Sequence, residues 1–309
     1  MVDVVPKLVV VCGPTASGKS SLALELARRT DGEIVNADSM QVYRGMDIGT
    51  AKPSPVELAE VPHHLFDLVA PDEEFTAADY GRLARAAVTD IYRRGRVPIV
   101  VGGTGLYIRC LLAGLAESPG ADREFRTECQ RIVDEHGEGA LHEQLRQVDP
   151  LAAARIHPNN RVRVVRALEV FRQTGRSICQ WQEEHAFADR WCDCLKMAIS
   201  DERTQLYARI DERVDRMINA GLVDEVAGLL AAGYSPGLKS MSAIGYREIC
   251  GYLQGRFDLA EAVALIRQNT RRYAKRQLTW FRAERDIHWL QPPVDLAAIT
   301  ATVQDFLGG

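Results

Sequence analysis

The sequence lacks long apolar runs, a strong net charge and any regular spacing of its cysteines. No run approaches 18 consecutive apolar residues, which excludes a typical membrane-spanning helix. The net charge of −4 excludes a uniformly basic surface for nucleic acid, but not local basic patches. The seven cysteines form neither a C-x-x-C pair nor a zinc-knuckle pattern, so we expect reduced thiols in a cytoplasmic protein.

The first six residues also lack a basic segment followed by an apolar stretch, so the sequence predicts no secretion signal. What remains is an ordinary globular composition, with 46% hydrophobic and 26% charged residues. A chain of 309 residues is long enough for one large domain or two smaller ones. We expect a monomer with no membrane association and no obligate protein partner.

The most informative pattern is the loop GPTASGKS at residues 13–20. It matches G-x-x-x-x-G-K-[ST], follows an apolar run at residues 7–12 and precedes a helix-forming segment at residues 21–27. Backbone N–H groups of such a loop face phosphate oxygens, Lys19 would reach the terminal oxygens, and the Ser20 hydroxyl would hold Mg²⁺. The strand–loop–helix order argues against a chance glycine turn. The predicted phosphate-binding residues are Gly13, Pro14, Thr15, Ala16, Ser17, Gly18, Lys19 and Ser20.

Strands and helices alternate through the first third of the chain. The patterns predict strands at residues 33–37 and 97–101 and a helix at residues 77–94. Apolar strands separated by helices are typical of an α/β fold with a parallel sheet covered on both faces. Together with the loop, this predicts a P-loop NTPase-like sheet. Ligands gather at the carboxyl ends of such strands, so the loops that begin at positions 13, 38 and 102 are expected to share one crevice.

A change of composition near Ser118 predicts a second domain. Residues 119–191 are polar, rich in Arg and Glu and helix-patterned, which indicates a helical insertion into a catalytic core formed by residues 1–118 and 192–309. After the insertion, the patterns predict two strands and five helices. The strands are at residues 194–199 and 287–290, and the helices are at residues 202–220, 222–232, 242–253, 259–282 and 296–306.

Asp38 ends the second predicted strand, beside the phosphate loop. A carboxylate in this place has two common uses, which are to bind Mg²⁺ through water or to accept a proton from a nucleophile. A third possibility is that Asp38 only caps the helix turn that follows it. The residues alone leave these alternatives open.

Eight strings of residues occur in order across nearly the whole chain. They are GPTASGKS (13–20), NADSMQVYRGMDIGTAKP (36–53), VPHHLFD (61–67), VVGGTGLY (100–107), RIHPNN (155–160), RALEVF (166–171), AIGYRE (243–248) and AKRQLTWFR (274–282). Together they resemble the tRNA dimethylallyltransferases, also called tRNA isopentenyltransferases. The second string is highly specific, whereas the phosphate loop alone is compatible with many families. Because no cysteine–histidine cluster follows the last predicted helix, the resemblance is to the bacterial type.

The resemblance implies transfer of a dimethylallyl group from dimethylallyl diphosphate to N6 of adenosine 37, next to the anticodon of tRNA. The loop would then hold the diphosphate leaving group, with Lys19 and Mg²⁺ on Ser20 neutralising charge as the C–O bond breaks. Asp38 matches the general base of the family and Thr104 matches a position that contacts the substrates. The alternative for Thr104 is a hydroxyl that satisfies its own glycine-rich turn.

The resemblance also implies an arginine on the diphosphate. Arg209 and Arg213 lie four residues apart on one face of a predicted helix, and Arg213 is the favoured candidate. The alternative is a solvated face of salt bridges.

Two basic stretches, at residues 161–176 and 271–285, form the local cationic stripes expected of an RNA-binding face, and residues 162–166 match an RNA contact of the family. Without the resemblance, either stretch would be interpreted as a solvated helix face. The resemblance implies that the insertion contacts the anticodon stem-loop and that Gln41 hydrogen-bonds to the adenine edge. Some members have glutamine where Val162 stands, which leaves that contact open. The implied tRNA-binding residues are Asp38, Ser39, Met40, Gln41, Thr104, Arg126, Val162, Arg163, Val164, Val165, Arg166, Arg247, Arg271 and Arg276.

The main alternative is a P-loop small-molecule kinase that uses ATP. Against a kinase, no arginine-rich lid follows the third predicted strand, and residues 102–104 are Gly-Gly-Thr where many such kinases have an acid. A GTPase is disfavoured because the sequence has no N-K-x-D string. An RNA-binding module without activity would leave the phosphate loop unused.

Overall fold

A computed structural model describes residues 5–114, 119–185 and 191–309. Within these residues, six strands form one sheet in which every strand pair is parallel. The order across the sheet is β3-β2-β4-β1-β5-β6. The strands are β1 (Lys7–Cys12), β2 (Gly32–Asn36), β3 (His63–His64), β4 (Val97–Gly102), β5 (Asp193–Ile199) and β6 (Ile287–Leu290).

Helices connect and cover these strands, so the predicted α/β class with a P-loop NTPase-like sheet is confirmed. The helices are α1 (Lys19–Thr30), α2 (Pro55–Glu60), α3 (Ala77–Arg93), α4 (Gly105–Ala113), α5 (Arg123–His136), α6 (Gly139–Val148), α7 (Pro150–Arg155), α8 (Arg161–Thr174), α9 (Ile178–His185), α10 (Arg203–Asn219), α11 (Leu222–Ala231), α12 (Tyr246–Leu253), α13 (Leu259–Ala283) and α14 (Leu296–Gly308). None of the described helices combines the length and the apolar character needed to cross a membrane.

The central strand β1 shows why the sheet is buried on both faces. Its side chains alternate between two hydrophobic clusters, with Leu8 and Val10 in one and Val9 and Val11 in the other. All four are fully buried. Successive residues of a strand point to opposite faces, so a continuous apolar run is what a doubly covered strand requires. Because β1 is buried on both faces, it holds in place the start of the phosphate loop that follows it.

The chain divides into two compact units, one of Met1–Leu112 with Arg190–Gly309 and the other of Ala113–Asp189. The sequence-based boundaries lie a few residues away, and the first of them, at Ser118, falls outside the described residues. The described part of the second unit consists of helices α5–α9 and has no strand. Its core is a separate apolar cluster that includes Leu141, Leu145, Ala152 and Ala167.

One predicted helix begins later than expected. The pattern starts at Ser242, but α12 begins at Tyr246, because the preceding residues form a turn. The Glu248 carboxylate accepts the Gly245 N–H at 2.8 Å and caps the helix there. The short elements α2, β3 and α4 were not predicted, since each is too short to show a clear hydrophobic period.

Candidate active site

The phosphate loop leaves the end of β1 and turns sharply into α1. Gly13, Ala16 and Gly18 have φ angles of 136°, 63° and 91°, so the loop depends on left-handed backbone. The Lys19 ammonium folds back and donates to the Pro14 carbonyl at 3.2 Å. Burial, with the nearby Arg213 guanidinium as the next largest cause, lowers the pKa of Lys19 from 10.5 to about 8. An anion beside Lys19 would therefore stabilise the charged form.

Two hydrogen-bonding groups of the loop differ in availability. The Ser17 hydroxyl is buried and has no hydrogen-bond partner among the described residues, so it is a suitable donor to a phosphate oxygen. The Thr15 N–H instead donates to Oε1 of Gln277 at 2.8 Å. The Thr15 N–H is thus held by a buried amide from α13, while Thr15 as a phosphate-binding residue stays a prediction.

Asp38 lies in a tight turn after β2. Its N–H donates to Oδ1 of Asn36 at 2.9 Å, and its own Oδ1 accepts the Met40 N–H at 2.9 Å. No helix begins at this turn, so the turn is an Asx turn and not a helix cap. Within the described residues, the second carboxylate oxygen of Asp38 has no hydrogen-bond partner. One oxygen thus orients the carboxylate, and the other is left to react or bind.

Thr104 joins the loop after β4 to the loop after β2. Its N–H donates to the Ala37 carbonyl at 3.1 Å, and its Oγ1 accepts the Ser39 N–H at 3.0 Å. The hydroxyl donates in turn to Oγ of Ser39 at 3.3 Å. These contacts place the hydroxyl against the neighbouring loop and not in its own glycine-rich turn.

Two cavities meet at three residues, Thr15, Asp38 and Arg213. The smaller cavity, of about 100 Å³, lies beside Lys19 and Ser20 and also has apolar walls. Its apolar side chains include Leu24, Val101 and Phe66. The larger cavity, of about 480 Å³, is lined by polar and cationic side chains together with apolar ones such as Met217 and Ile266. The polar and cationic ones include Ser242, Arg247, Asn269, Arg272 and Arg276. The arrangement can hold an anion with a small apolar group on one side and a larger polar group on the other.

Arg209 and Arg213 have different roles although both lie on α10. Arg209 donates to the Ala16 carbonyl at 3.1 Å and pairs with Asp201 at 2.5 Å, so it braces the phosphate loop. Arg213 has no ion pair within the part of the chain that the structure describes, and it lines both cavities. Burial lowers its pKa, while Asp38 opposes that shift. An unpaired guanidinium here favours a bound anion, and Arg213 is the better diphosphate candidate.

The three residues after Asp38 line different cavities. Ser39 and Met40 line the larger cavity. Gln41 lines the smaller cavity, and its Nε2 donates to the Thr50 and Ala51 carbonyls, both at 3.0 Å. This nitrogen holds the following loop, and the expected hydrogen bond of Gln41 to the adenine edge stays a prediction.

In the first unit, the arginines expected to bind tRNA separate into paired and unpaired side chains. Arg271 pairs with Asp211 and lies over the ring of Tyr207, so it cross-links α13 to α10. Arg247 pairs with Glu248 at 2.6 Å, although it still borders the larger cavity. Arg276 also borders that cavity and has no acidic partner in residues 5–114 or 191–309. Arg276 is thus the freest of the three for an RNA phosphate.

In the second unit, several expected tRNA contacts have structural roles. Arg126 and Arg166 both pair with Glu169, whose carboxylate is fully buried. Val164 is 1% exposed and belongs to the core of the unit, so the expectation that it contacts RNA is wrong. Val165 packs against the same core. The residues of this segment left at the surface are Val162, 81% exposed, and Arg163.

Gln277 and Tyr273 were not assigned a role from the sequence, but both belong to the site. Gln277 bonds to the phosphate loop and to the Gly103 carbonyl, and Tyr273 lines the larger cavity. Burial and the nearby Asp38 raise the pKa of Tyr273. The available signal was the spacing of Tyr273, Gln277 and Trp280 at i, i+4 and i+7, which places them on one helix face.

The residues around the loop can accommodate Mg²⁺ only together with substrate oxygens. The described residues contain no cluster of three or more His, Cys, Asp or Glu side chains suited to a metal. Ser20 lines the smaller cavity with Lys19 and Asp38. Mg²⁺ is commonly held by one or two protein oxygens, substrate phosphates and water, so this sparse donor set fits.

A glycine loop between a buried strand and a helix, a lysine at its end and an unpaired arginine beside it define a P-loop-type α/β protein that binds phosphate groups. Comparison with known proteins narrows this class. The chain belongs to the IPP transferase family, whose model matches residues 41–284.

Several relatives resemble the chain over nearly its whole length. It is 60% identical over 302 residues to the tRNA dimethylallyltransferase of Geobacter sulfurreducens. These aligned residues cover 98% of this chain and 97% of that protein. A crystal structure of the tRNA isopentenylpyrophosphate transferase from Bacillus halodurans is 43% identical with a TM-score of 0.72, covering 98% of this chain and 96% of that one. A crystal structure of a eukaryotic dimethylallyltransferase acting on tRNA has 29% sequence identity to this chain and a TM-score of 0.81. The alignment covers 98% of this chain and 80% of that chain.

Proposed function

We propose that this protein transfers the dimethylallyl group of dimethylallyl diphosphate to N6 of adenosine 37 in tRNA and releases diphosphate. The observation that carries the proposal is the meeting of two cavities at Thr15, Asp38 and Arg213. One cavity suits a diphosphate with a small apolar group, and the other suits a polar, anionic partner. Membership of the IPP transferase family supports the same reaction.

In this proposal the phosphate loop binds the leaving group. Lys19 and Arg213 would neutralise the charge that develops on the diphosphate as its C–O bond breaks, and the Ser17 hydroxyl would donate to one of its oxygens. The apolar walls of the smaller cavity, Leu24 and Phe66 among them, would exclude water from the reacting carbon.

Asp38 would accept the proton of the attacking nitrogen. An exocyclic adenine amine is a weak nucleophile because its lone pair is delocalised into the ring. A positioned base typically accelerates such a step by about 10²–10⁴-fold. The Asx turn supports this role, because the Met40 N–H fixes one carboxylate oxygen and leaves the other without a partner among the described residues.

The tRNA would enter from the side of the larger cavity. A base stacked in the anticodon loop cannot present N6 to an enclosed site, so the target nucleotide would be extruded into the cavity. Arg272 and Arg276 at the cavity edge would contact flanking phosphates. In the second unit, Arg163 is exposed and would contact the anticodon stem-loop.

We further propose that Mg²⁺ binds with the diphosphate. The Ser20 hydroxyl is the protein ligand in this proposal, and the ion would offset the negative charge of the leaving group. Because the proposed substrate is a tRNA, we propose that the protein acts in the cytoplasm, as a monomer.

One assay tests the function against the kinase alternative. The protein is incubated with Mg²⁺, unmodified tRNA and dimethylallyl diphosphate, with and without ATP, and the tRNA is analysed by mass spectrometry. We expect one added C5 unit at adenosine 37 regardless of ATP. ATP hydrolysis without prenylation would instead favour the kinase, which family membership already disfavours.

A further inference from the structure

Gln277 lies on the buried face of α13 and uses both ends of its amide. It is 5% exposed, its Oε1 accepts the Thr15 N–H at 2.8 Å, and its Nε2 donates to the Gly103 carbonyl at 2.9 Å. The side chain thereby links the loop after β1 to the loop after β4. Both partners are backbone groups, so only a side chain with a donor and an acceptor at this spacing satisfies them together.

The contact between α13 and the second loop leaves no spare room. A Cβ added to Gly103 would lie 2.1 Å from Nε2 of Gln277, and one added to Gly105 would lie 2.1 Å from Nε1 of Trp280. Real Cβ atoms do not approach other atoms so closely. The loop is therefore fitted to this helix face.

A second contact extends the link to the loop of Asp38. Gln277 holds the carbonyl of Gly103, and the next residue along the chain is Thr104. Thr104 in turn accepts the Ser39 N–H at 3.0 Å. Two hydrogen bonds of Gln277, the peptide bond between Gly103 and Thr104, and the hydrogen bond from Ser39 to Thr104 thus connect Thr15, at the junction of the two cavities, to the residue that follows Asp38.

We propose that Gln277 is a positioning residue for the transfer step, which rests on the proposed function. It fixes Thr15 relative to the Asp38 turn, and so aligns the leaving-group side of the junction with the nucleophile side. A fully satisfied buried network is rigid. Reacting groups from two substrates need such rigidity, since a displacement of about 1 Å can cost about 10²-fold in rate.

The test compares Gln277→Met with Gln268→Met, the same substitution at an exposed position of the same helix. Gln277→Met keeps the length of the side chain but removes its donor and its acceptor. With both substrates saturating, we expect the single-turnover rate constant of Gln277→Met to fall by about 10- to 100-fold. The Kd values for inorganic diphosphate and tRNA should stay within about threefold of wild type, and Gln268→Met should match wild type throughout.

Gln277→Glu adds a second measurement, the pH dependence of the transfer rate relative to wild type. A purely structural role of Gln277 would not change this dependence. The ionised carboxylate would face the Gly103 carbonyl without a hydrogen to donate, whereas the protonated carboxyl restores the donor. We therefore expect the single-turnover rate of Gln277→Glu, divided by that of wild type, to rise as the pH is lowered. Tyr273, Asp38 and Arg276 lie beside this network in both proteins, so the ratio compares proteins with the same neighbouring charged groups.

Two results would overturn the positioning role. One is a Gln277→Met rate constant within threefold of wild type, or a loss explained wholly by weaker binding. The other, which decides the matter if Gln277→Met does not fold, is a Gln277→Glu ratio that is flat with pH. Wild-type protein that transfers no dimethylallyl group would contradict the proposed function instead, so the two failures are distinguishable.

Discussion

The Ser39 N–H donates to Oγ1 of Thr104 at 3.0 Å, which ties the turn of Asp38 to the glycine loop after β4. Replacing Thr104 with Val keeps the shape but leaves this N–H without an acceptor, at a cost of about 1–3 kcal/mol. We expect Thr104→Val to lower the transfer rate by at least about tenfold, because the Asp38 turn loses an anchor. Thr104→Ser is the matched control and should retain most activity. Equal rates for Val and Ser would show that the hydroxyl is dispensable.

Asp38→Asn separates chemistry from binding. The amide preserves the size of the side chain and its hydrogen bond to Met40, but it cannot accept a proton from the adenine amine. We expect the single-turnover rate to fall by about 10²–10⁴-fold, while the tRNA Kd changes less than about threefold. Filter binding and rapid-quench kinetics measure the two quantities. A collapse of tRNA affinity with intact chemistry would mean that Asp38 binds RNA and is not the base.

Thr104 and Asp38 also show which parts of the site can be predicted from the sequence. The order of strand, glycine loop and helix, and the ends of β2 and β4, follow from local patterns, because apolar runs and glycines act over a few residues. The prediction that loops starting at Gly13, Asp38 and Gly102 share one crevice agrees with the cavities, since Thr15 and Asp38 line both and Gly102 lines the smaller one.

Long-range partners could not be predicted from the sequence. Gln277 is 262 residues from Thr15 along the chain, and no local pattern pairs them. Similarly, basic side chains resemble RNA contacts in a sequence whether or not an acid lies nearby. Arg126 and Arg166 neutralise the buried Glu169, and Arg271 pairs with Asp211, through tertiary contacts that only the fold brings about.

Arg213 and Arg209 should respond differently to loss of charge. Arg213 has no ion pair among the described residues, and its burial without a partner is unfavourable in the absence of an anion. We expect Arg213→Gln to weaken binding of inorganic diphosphate by about tenfold or more without lowering the melting temperature. Arg209→Gln should lower the melting temperature, because it removes the contacts to Ala16 and Asp201. Calorimetric titration and thermal unfolding measure both effects, and a destabilised Arg213→Gln would contradict the assignment.

The Glu33 carboxylate, near the edge of the sheet, makes the stability of the fold depend on pH. Its buried carboxylate accepts hydrogen bonds from Arg94, one of them at 2.8 Å, and lies 2.7 Å from Nε2 of His64. The Arg94 hydrogen bonds hold the pKa of Glu33 at about 2, below the ordinary 4.5. Because the folded-state pKa is depressed, this contribution to stability is complete above about pH 4.5 and is lost as the pH falls towards 2.

Glu33→Gln tests this dependence. Denaturant unfolding at a series of pH values gives the difference in unfolding free energy between wild type and variant. We expect the variant to be less stable near pH 7 and the difference to shrink below about pH 4.5. The comparison cancels the titration of other carboxylates, so a difference that stays constant down to pH 3 would contradict the role of the Glu33 charge.

Arg276 and Arg271 lie five residues apart on α13 but differ in their partners. Arg276 borders the larger cavity without an acidic partner in the described chain, whereas Arg271 pairs with Asp211. Each phosphate contact in a single-stranded loop contributes about 0.7 to the slope of log Kd against log salt. We expect Arg276→Ala to weaken tRNA binding and reduce this slope by about that amount, and Arg271→Ala to leave the slope unchanged while lowering the melting temperature. Fluorescence anisotropy across a salt series measures the slopes, and the opposite pattern would place the RNA phosphate at Arg271.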